Sequence, residues 1–393
     1  MVSEEDALRQ ILTGIGPLPK RQAPLAEASA CFSAEDFFAS VALPAFDNSA
    51  MDGYAVRAAD CKPGVALTVV GEQPAGVDRG LQVSECEAIR IFTGAPLPAG
   101  VDAVVMQEDV TRDGSQVVIN TEVEVGDFIR SRGCDLAEGQ KMFTRGQRLR
   151  PVEWATLASQ GATEVWIGGT VSAAVLSTGD ELIAPGAPLE KGQIYDSNSV
   201  LIASLLRQCG AEIRLIEHCP DHRGLLRAAV DRGIENNVLI ITGGVSVGEH
   251  DLVKTVLLEV GADIELWQVA IKPGKPFLFG RAGECRIFGL PGNPVSSFVT
   301  FLKFVRPAIL RMMGGADEEL PLRRVMARLA KDVRGAGDRP HYIRGKLESG
   351  MFAPAGRQES HALFGLSQSN ALLRVEVGAA FRAGELVEVE LWD

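Results

Sequence analysis

The sequence has few cysteines, and they form no metal or disulfide pattern. Its 393 residues include 7 cysteines, an odd number at wide spacings without a CxxC pair, so neither a zinc ribbon nor a disulfide framework is predicted. The five histidines form no HExxH or similar ligand pattern. No apolar run of roughly 18 residues is present, and Met1 to Gln10 is acidic and polar rather than a secretory signal. We therefore expect a cytoplasmic protein without a membrane partner.

Signatures of the common nucleotide enzymes are also missing. Neither GxxxxGK[ST] nor GxGxxG occurs at a strand–helix turn, which disfavours an ordinary NTPase or an NAD-dependent enzyme. Positive charge is scarce as well, because 39 Lys and Arg residues stand against 51 Asp and Glu, for a formal net charge of -12. An acidic chain repels nucleic acid and anionic membranes, so neither is an expected partner. A small anionic ligand remains compatible, since a local pocket of cations and N–H groups can overcome the net field.

Glycine, in contrast, is abundant, with 42 residues beside 20 prolines, so many tight turns and loops are expected. A chain of 393 residues suggests two to four domains at about 100–200 residues each. Residues 3–12 and 24–40 predict helices, and short apolar runs between 67 and 125 predict a β-rich segment. Pro151 is expected to open a further helix.

The middle of the chain alternates predicted strands with predicted helices, which is typical of an α/β domain with a mainly parallel sheet. The continuous apolar run 238–241 is expected of a strand that is covered on both faces. The other predicted strands are 171–176, 211–216, 264–269, 276–280 and 285–289. One predicted helix ends at 207, and the others span 225–232, 252–260 and 294–310. Beyond Leu320, the runs 325–329, 342–347, 372–375 and 386–391 predict a small β domain.

Polar motifs follow the predicted strands of this middle domain, at the point where each strand ends. In open α/β sheets, ligands bind outside the carboxyl ends of the strands. Several such loops on one edge predict a binding site more strongly than any one of them. The loops are Ser177–Glu181, Cys219–His222, Thr242–Gly248, Ile271–Pro276 and Leu290–Pro294.

The residue types in these loops suit an anionic ligand and a metal ion. Gly243 and Gly244 allow a ligand to approach the backbone closely, and a following helix N-terminus favours anions. Lys272 and Lys275 add positive charge. Carboxylates are the hard oxygen ligands that Mg²⁺ prefers, with phosphate and water completing its shell. The candidate metal ligands are Glu181, Asp221 and Asp251.

Each of these features alone also has a purely structural interpretation. A Gly-Gly pair after a strand can be just a turn, and Asp221 and Asp251 can be helix N-caps. The two lysines flank prolines, so they can be solvated loop charges. Pro291 and Pro294 can simply stiffen the start of a helix. The functional interpretation rests on the joint occurrence of these features.

With these motifs in hand, the chain resembles molybdopterin molybdenumtransferase, the family that includes the C-terminal domain of gephyrin. The matching stretches occur in the family's order across nearly the whole chain, and together they are highly specific. They are Asn48–Val56, Arg90–Pro96, Ser177–Leu182, Thr242–Asp251, Ile271–Pro276 and Leu290–Ser296.

The resemblance implies a multidomain α/β plus β architecture. A discontinuous N-terminal domain of helices and strands is expected over 1–40 and 140–168, with an inserted β-rich lobe over 41–139. A three-layer, mainly parallel α/β domain that binds molybdopterin is expected over 169–315. A small, β-barrel-like C-terminal domain is expected over 316–393. The resemblance also implies an elongated homodimer.

The family's site residues are carried over position by position. Two departures from the family pattern affect them, since Cys134 stands where a Glu often precedes Asp135, and Glu359 replaces a glycine before Ser360. The resemblance implies catalytic roles for Asp52, Thr93, Asp135, Glu181, Asp221 and Asp251. It implies substrate binding by Arg130, Gly243, Gly244, Ser246, Lys272, Lys275, Pro291, Pro294, Arg344 and Ser360.

The implied reaction is molybdenum insertion from molybdate into adenylylated molybdopterin, with Mg²⁺ as cofactor and AMP as product. Asp52 or Asp135 is expected to orient water or to move protons, and the residues do not decide which. Molybdopterin adenylyltransferase and cofactor-free molybdoenzymes are candidate partners. Alternatives are the preceding adenylyl transfer and a non-catalytic carrier or scaffold for molybdopterin. Tungstate is an open alternative to molybdate, because both are tetrahedral dianions.

Overall fold

The protein is described from a computed structural model that covers residues 1–25, 31–244, 252–335 and 337–392. The chain divides into two compact units. One consists of Met1–Glu35 together with Arg145–Asp393, and the other of Asp36–Thr144.

The Asp36–Thr144 unit is built on a six-stranded sheet. In the order in which they lie, its strands are Ala103–Met106, Gly53–Val56, Glu87–Ile91, Ala66–Gln73, Gln116–Ile119 and Val110–Asp113. Only the pair Ala66–Gln73 and Glu87–Ile91 is parallel. Two small antiparallel pairs join Phe37–Phe38 to Lys141–Phe143 and Asn48–Ser49 to Ile129–Arg130. The 3-10 turns are Ala58–Asp60 and Gln107–Asp109.

The first residues of the larger unit form the helix Glu4–Thr13, close to the predicted 3–12. Ser3 caps the helix by accepting a hydrogen bond from the Asp6 N–H at 3.0 Å. The acidic residues of its first turn are stabilised by the positive end of the helix dipole. The helix Pro151–Ser159 begins at the proline, as predicted.

The predicted helix over 24–40 is wrong where the structure describes it. Cys31–Phe32 is a strand that pairs with Arg148–Leu149, and Phe37–Phe38 is a second strand. Pro24 ends another strand, Arg21–Pro24, which pairs with Glu164–Ile167. These partners lie more than a hundred residues away, so tertiary pairing overrides the local helical pattern.

The central sheet has six strands, in the order Glu212–Cys219, Ser172–Thr178, Val238–Thr242, Cys285–Leu290, Leu278–Ala282 and Asp263–Trp267. The first four are parallel, and the last two join as antiparallel neighbours. Its helices are Ser197–Cys209, Arg223–Gly233, Leu252–Glu259 and a run of Pro294–Thr300, Phe301–Val305 and Arg306–Met312. The middle segment of that run is π-helical. A short parallel pair joins Leu182–Ile183 to Ile194–Tyr195.

Both faces of this sheet are covered by apolar side chains. Along Ser172–Thr178, Ala173 and Val175 belong to one buried cluster, while Ala174 and Leu176 belong to the other. All of Val238–Thr242 is buried, as the continuous apolar run predicts. The edge strand Asp263–Trp267 runs in the same direction as the parallel strands, because two antiparallel pairings separate them. Its following loop therefore lies at the same carboxyl edge as the other motif loops.

The C-terminal region contains a closed five-stranded barrel, which confirms the prediction of a small barrel-like domain. Its strands are Arg323–Leu329, Met351–Pro354, His341–Glu348, Ala371–Val375 and Leu386–Leu391. A further pair joins Val333–Arg334 to Ala380–Phe381, and the 3-10 turn Asp317–Glu319 and the helix Leu363–Ser367 complete the region. Ten buried apolar residues fill the barrel, among them Phe352 and Val389.

Across the described ranges, no helix is both long enough and apolar enough to span a membrane.

Candidate active site

A cavity of about 780 Å³ opens at the carboxyl edge of the central sheet. Its walls come from the loops that follow the parallel strands, together with a loop of the C-terminal region. Among the predicted residues, the lining includes Glu181, Asp221, Gly243, Gly244, Lys272, Lys275, Pro291 and Ser360. The loops that the sequence places at one edge therefore do meet around one space.

The glycine turn after Val238–Thr242 is fixed by close backbone packing. Gly243 has φ +87°, and a Cβ atom there would overlap the carbonyl oxygen of Thr178. Gly244 has φ +63°, and a Cβ atom there would lie 2.6 Å from Cγ2 of Val253. Only glycine fits both the left-handed backbone and the space. The turn thus leaves bare backbone facing the cavity.

Two of the predicted metal ligands, Glu181 and Asp221, lie in the cavity wall, and both carboxylates are exposed. The Thr178 hydroxyl donates to Oδ1 of Asp221 at 2.7 Å, and the Asp221 N–H donates to Oδ1 of Asp180 at 2.9 Å. The Glu181 carboxylate lies over Gly179. Hard oxygens facing an open cavity suit Mg²⁺ when phosphate and water complete its shell. Two predicted residues, Asp251 and Ser246, lie outside the described residues.

No group of three His, Cys, Asp or Glu side chains with the geometry of a metal site occurs in the part of the chain that the structure describes. Glu181 and Asp221 are thus two candidate ligands and not a complete protein site. This number fits Mg²⁺, which is commonly held by one or two carboxylates together with substrate phosphates. The residues present are therefore compatible with the predicted ion.

The two lysines of the Ile271–Pro276 loop supply positive charge without a protein counter-ion. Lys272 and Lys275 are partly exposed and line the cavity. Within the described ranges, neither ammonium group has a carboxylate within salt-bridge distance. Their backbones are fixed, since the Lys272 N–H donates to Pro340 O at 2.9 Å and the Val269 N–H donates to Lys275 O at 3.1 Å. Two positioned cations are thus available to an anionic ligand.

The far wall of the cavity joins the start of helix Pro294–Thr300 to the Ser360 loop. The Val295 N–H donates to Ser360 O at 3.1 Å, and Nδ2 of Asn293 donates to Ser360 Oγ at 2.9 Å. Because Ser360 Oγ accepts this bond, its own proton is free to be donated into the cavity. Pro291 lines the wall, whereas Pro294 is the first helical residue and does not line it.

Arg344 lies behind this wall and not on it. Its side chain is only 1% exposed, and its guanidinium donates to the carbonyl oxygens of Arg357 and Glu359. The predicted binding residue therefore supports the loop that presents Ser360. Glu359, the departure from the family pattern, does line the cavity, so a negative charge lies beside the anion-binding groups.

Among the lining residues outside the predicted site set, three have buried polar atoms without a hydrogen-bond partner in the described structure. Nδ2 of Asn198 donates to Gly292 O at 2.7 Å, and its Oδ1 has no hydrogen-bond partner among the described residues. The same holds for the hydroxyl of Thr242, 1% exposed at the end of its strand, and for Nη1 of Arg339. Buried polar atoms without partners are uncommon, so these atoms are suited to a ligand or water. Arg339 adds a third cation, and no local motif marks it.

His341 lies behind the lysine loop. Its backbone forms a parallel bridge with Lys272, and the side chain is 7% exposed. Burial lowers the pKa of His341 to about 4, with further lowering by the charges of Lys272 and Arg344. The ring is thus neutral at neutral pH. Among the described residues, neither ring nitrogen has a hydrogen-bond partner.

In the Asp36–Thr144 unit, Asp52 and Thr93 are brought together as a pair. Oδ1 of Asp52 accepts hydrogen bonds from the N–H and the hydroxyl of Thr93, both at 2.8 Å. These bonds lower the pKa of Asp52, and the charge of Arg90 lowers it further. The Arg90 guanidinium lies over the rings of Tyr54 and Phe92, at 5.1 and 5.2 Å from their centroids. Asp52 is therefore an ionised, oriented acceptor.

Arg130 and Asp135 also belong to this unit. Nη2 of Arg130 donates to Ala50 O at 3.4 Å, which ties it to the turn before Asp52. Asp135 is exposed, and its N–H donates to Leu43 O at 3.0 Å. Arg90 is the residue that sequence reasoning missed here, although it lies within a matched motif.

Family models match almost the whole chain. The "MoeA N-terminal region (domain I and II)" matches residues 2–161, the "Probable molybdopterin binding domain" matches 174–311, and the "MoeA C-terminal region (domain IV)" matches 326–392. The cavity lies mainly in the second of these regions. Fold and site together define an enzyme of molybdenum cofactor biosynthesis.

Individual proteins sharpen this assignment. The chain is 37% identical over 374 residues to the molybdopterin molybdenumtransferase of Haemophilus influenzae, covering 93% of this chain and 92% of that protein. It is 36% identical to the enzyme of the same name from Nostoc sp., covering 86% and 80%. The molybdopterin biosynthesis moeA protein of Pyrococcus horikoshii has a similar solved structure, with a TM-score of 0.85, 29% identity and full coverage of both chains. The chain belongs to the molybdopterin molybdenumtransferase family.

Proposed function

We propose that this protein transfers molybdenum from molybdate onto adenylylated molybdopterin and releases AMP. One observation carries the proposal: two lysines without a carboxylate partner in the described structure share a cavity with a bare glycine turn and the exposed carboxylates of Glu181 and Asp221. Both substrates are anions, so bringing them together requires positioned cations and N–H donors. The family relationship supplies the identity of the substrates.

Each part of the cavity has a role in this proposal. Lys272, Lys275 and Arg339 hold phosphate and molybdate oxygens, and the Gly243–Gly244 turn lets the pyrophosphate approach the backbone. The Ser360 hydroxyl donates a further hydrogen bond. Asp52 belongs to the Asp36–Thr144 unit and does not line this cavity; kept ionised by Thr93, it is suited to orient water or to accept a proton.

We propose Mg²⁺ as the cofactor, held by Glu181 and Asp221 together with Asp251, which lies outside the described residues. When bound, the ion neutralises negative charge on the pyrophosphate. Breaking the phosphoanhydride consumes one water and leaves AMP and a phosphomonoester. As the two dithiolene thiols bind molybdenum, one oxo group of molybdate leaves as water. We also propose that the protein acts as a homodimer, as the resemblance implies.

Turnover with defined substrates tests the reaction. The purified protein is incubated with adenylylated molybdopterin and Mg²⁺, with and without molybdate, and AMP and reactivation of a cofactor-free molybdoenzyme are measured. We expect both signals to require molybdate. Tight binding without turnover contradicts the proposal and favours a carrier, whereas pyrophosphate from ATP and molybdopterin alone favours the adenylyltransferase.

The metal ligands are tested by Glu181→Gln and Asp251→Asn in the same assay. If Mg²⁺ holds the pyrophosphate, both variants need more Mg²⁺ for half-maximal AMP release. Unchanged Mg²⁺ dependence in both variants shows that these residues do not bind the ion. Glu190→Gln is the matched control, since Glu190 is exposed and not part of the cavity lining.

A further inference from the structure

A second, smaller cavity of about 300 Å³ lies away from the candidate active site. It is enclosed by helix Ser197–Cys209, the π-helical segment Phe301–Val305 with its continuation, and two strands of the C-terminal barrel. No residue lines both this cavity and the candidate active site. Its lining therefore belongs to the junction between the α/β region and the barrel.

Three arginines line this cavity: Arg148, Arg306 and Arg323. No aspartate or glutamate is among its lining residues in the described chain. Arg306 is partly buried, and Nη1 donates to Leu320 O at 2.6 Å. The side chains of Arg148 and Arg323 have no hydrogen bond or ion pair within the described residues. Arg148 is also partly buried, whereas Arg323 is exposed. Positive charges around one space, without an anion in the wall, repel one another, and a bound anion relieves that repulsion.

Among the residues that the structure describes, the neighbouring acidic groups do not supply a counter-ion. Burial raises the pKa of the Cys209 thiol to about 11, although Arg306 and Arg148 act against this, so the thiol is neutral. Glu319 lies near Arg306, but Oε1 accepts from the backbone N–H of Arg148 at 3.3 Å and the residue does not line the cavity. Within the described chain, Glu319 is thus a peripheral carboxylate beside Arg148 and Arg306, outside the cavity wall.

The backbone beside this cavity also departs from regular α-helix. The segment Phe301–Val305 is a π-helical turn inserted between two α-helical segments, and Phe301, Leu302 and Arg306 all line the cavity. Such turns occur often at functional sites. The strand register sets Arg323 opposite Leu391, another lining residue. Trp392 closes the apolar side, packed edge-on against Phe298 with ring centroids 5.0 Å apart.

We propose that this arginine cavity binds a small tetrahedral oxyanion of the phosphate and molybdate class. The planar guanidinium fork matches two oxygens of such an anion at once, and three arginines line a space of suitable size. The bound anion links the helix that begins at Arg306, the segment before Pro151 and the first barrel strand. It is a second anion site, independent of the site proposed for catalysis.

Isothermal titration with inorganic phosphate, molybdate and sulfate at low ionic strength tests this site. The full-length Lys272→Gln/Lys275→Gln variant is used, so that anion binding in the candidate active site is weakened. We expect one oxyanion per chain, and at least tenfold weaker binding after adding Arg148→Gln and Arg323→Gln. A preference for molybdate identifies the enzyme's own substrate oxyanion, and equal affinities identify phosphate-like anions in general.

The matched control adds Lys331→Gln and Arg382→Gln instead, which removes the same charge from exposed residues that do not line the cavity. Unchanged binding after the arginine substitutions overturns the proposal, as does an equal loss in the control. A further variant is Asp393→Asn. If this variant binds the oxyanion and the protein with Asp393 does not, the proposal is also overturned, because the Asp393 carboxylate is then the counter-ion. Comparable thermal unfolding of all variants excludes a folding defect, which is expected because neither substituted arginine side chain holds other described residues.

Discussion

The candidate site residues of the two compact units differ in whether their charged groups already have partners within the protein. In the Asp36–Thr144 unit, the Asp52 carboxylate accepts two hydrogen bonds from Thr93, and the Arg90 guanidinium lies over two aromatic rings. In the cavity of the larger unit, Lys272 and Lys275 have no carboxylate partner in the described structure. Asp52 is thus paired within its own unit, whereas the two lysines have no anionic partner among the described residues.

This difference indicates two kinds of role: the Asp52 carboxylate is held in position before a substrate binds, and the two lysines are available to bind one. A carboxylate held by two short hydrogen bonds has a defined charge and direction before any substrate arrives. Cations without counter-ions in a concave site gain most from an anionic ligand. The comparison therefore predicts that substitutions in the cavity weaken binding, whereas substitutions around Asp52 change the pH dependence.

The largest effect is expected from Lys272→Gln with Lys275→Gln. Removing two positioned cations should weaken binding of adenylylated molybdopterin by roughly 100-fold or more, since hydrogen bonds to charged groups contribute about 1.5–3 kcal/mol each. Equilibrium binding by fluorescence quenching measures this. Lys331→Gln with Lys62→Gln is the control, because both lysines are exposed outside the cavity. Equal weakening in the control means that net charge alone is responsible.

The glycine turn should be next in magnitude. Gly243→Ala introduces a Cβ atom that overlaps Thr178 O at φ +87°, so the turn must move. We expect a loss of at least about 2 kcal/mol in the free energy of unfolding, from strain and overlap together. Denaturant titration measures it. Gly186→Ala is the matched control, with φ +96° and no atom near its Cβ position. If both variants lose the same free energy, the overlap contributes nothing.

His341 gives a pH-dependent stability. Its folded pKa of about 4 lies below the ordinary 6.5, so its contribution to stability is present above 6.5 and is lost as the pH falls towards 4. The loss between neutral pH and pH 4 is roughly 3 kcal/mol, from 1.36 kcal/mol per pKa unit. Comparing the free energy of unfolding of the wild type and His341→Gln across this range measures it. Parallel curves for the two proteins show that His341 is not the titrating group.

The smallest effect is expected at Thr93. Thr93→Val removes the hydroxyl donor but keeps the backbone N–H, so the pKa of Asp52 should rise towards its ordinary value. If ionised Asp52 is required for turnover, the acidic limb of the pH–rate profile moves to higher pH. Thr93→Ser, which keeps the hydroxyl, should restore the wild-type profile. An unchanged profile in Thr93→Val would show that the ionisation of Asp52 does not determine the acidic limb.

The sequence predicted the location of the cavity because that location follows from the alternation of strands and helices. Polar loops after parallel strands must meet at one edge, and the antiparallel strand Leu278–Ala282 preserves that edge for the lysine loop. The site roles of Asp52 and Thr93 came only from the family resemblance, and their hydrogen bond was not predicted, because 41 residues separate them. Asn198 and Arg339 were missed, since the direction of a side chain depends on tertiary packing.

Where local patterns failed, long-range contacts decided the structure. The segment 24–40 has helical periodicity, yet Cys31–Phe32 pairs with Arg148–Leu149. Arg344 has the residue type of an anion ligand, but burial turns its guanidinium towards the carbonyl oxygens of Arg357 and Glu359. Neither outcome is encoded within a short window of sequence.

The most direct test of the central claim is the position of molybdenum in crystals of the protein soaked with adenylylated molybdopterin and molybdate. Anomalous scattering at the molybdenum edge locates the metal independently of the rest of the ligand. The account predicts a peak in the cavity lined by Lys272, Lys275 and Ser360, whether or not a second peak occupies the arginine cavity. A fully occupied ligand with no molybdenum in that cavity would contradict the account.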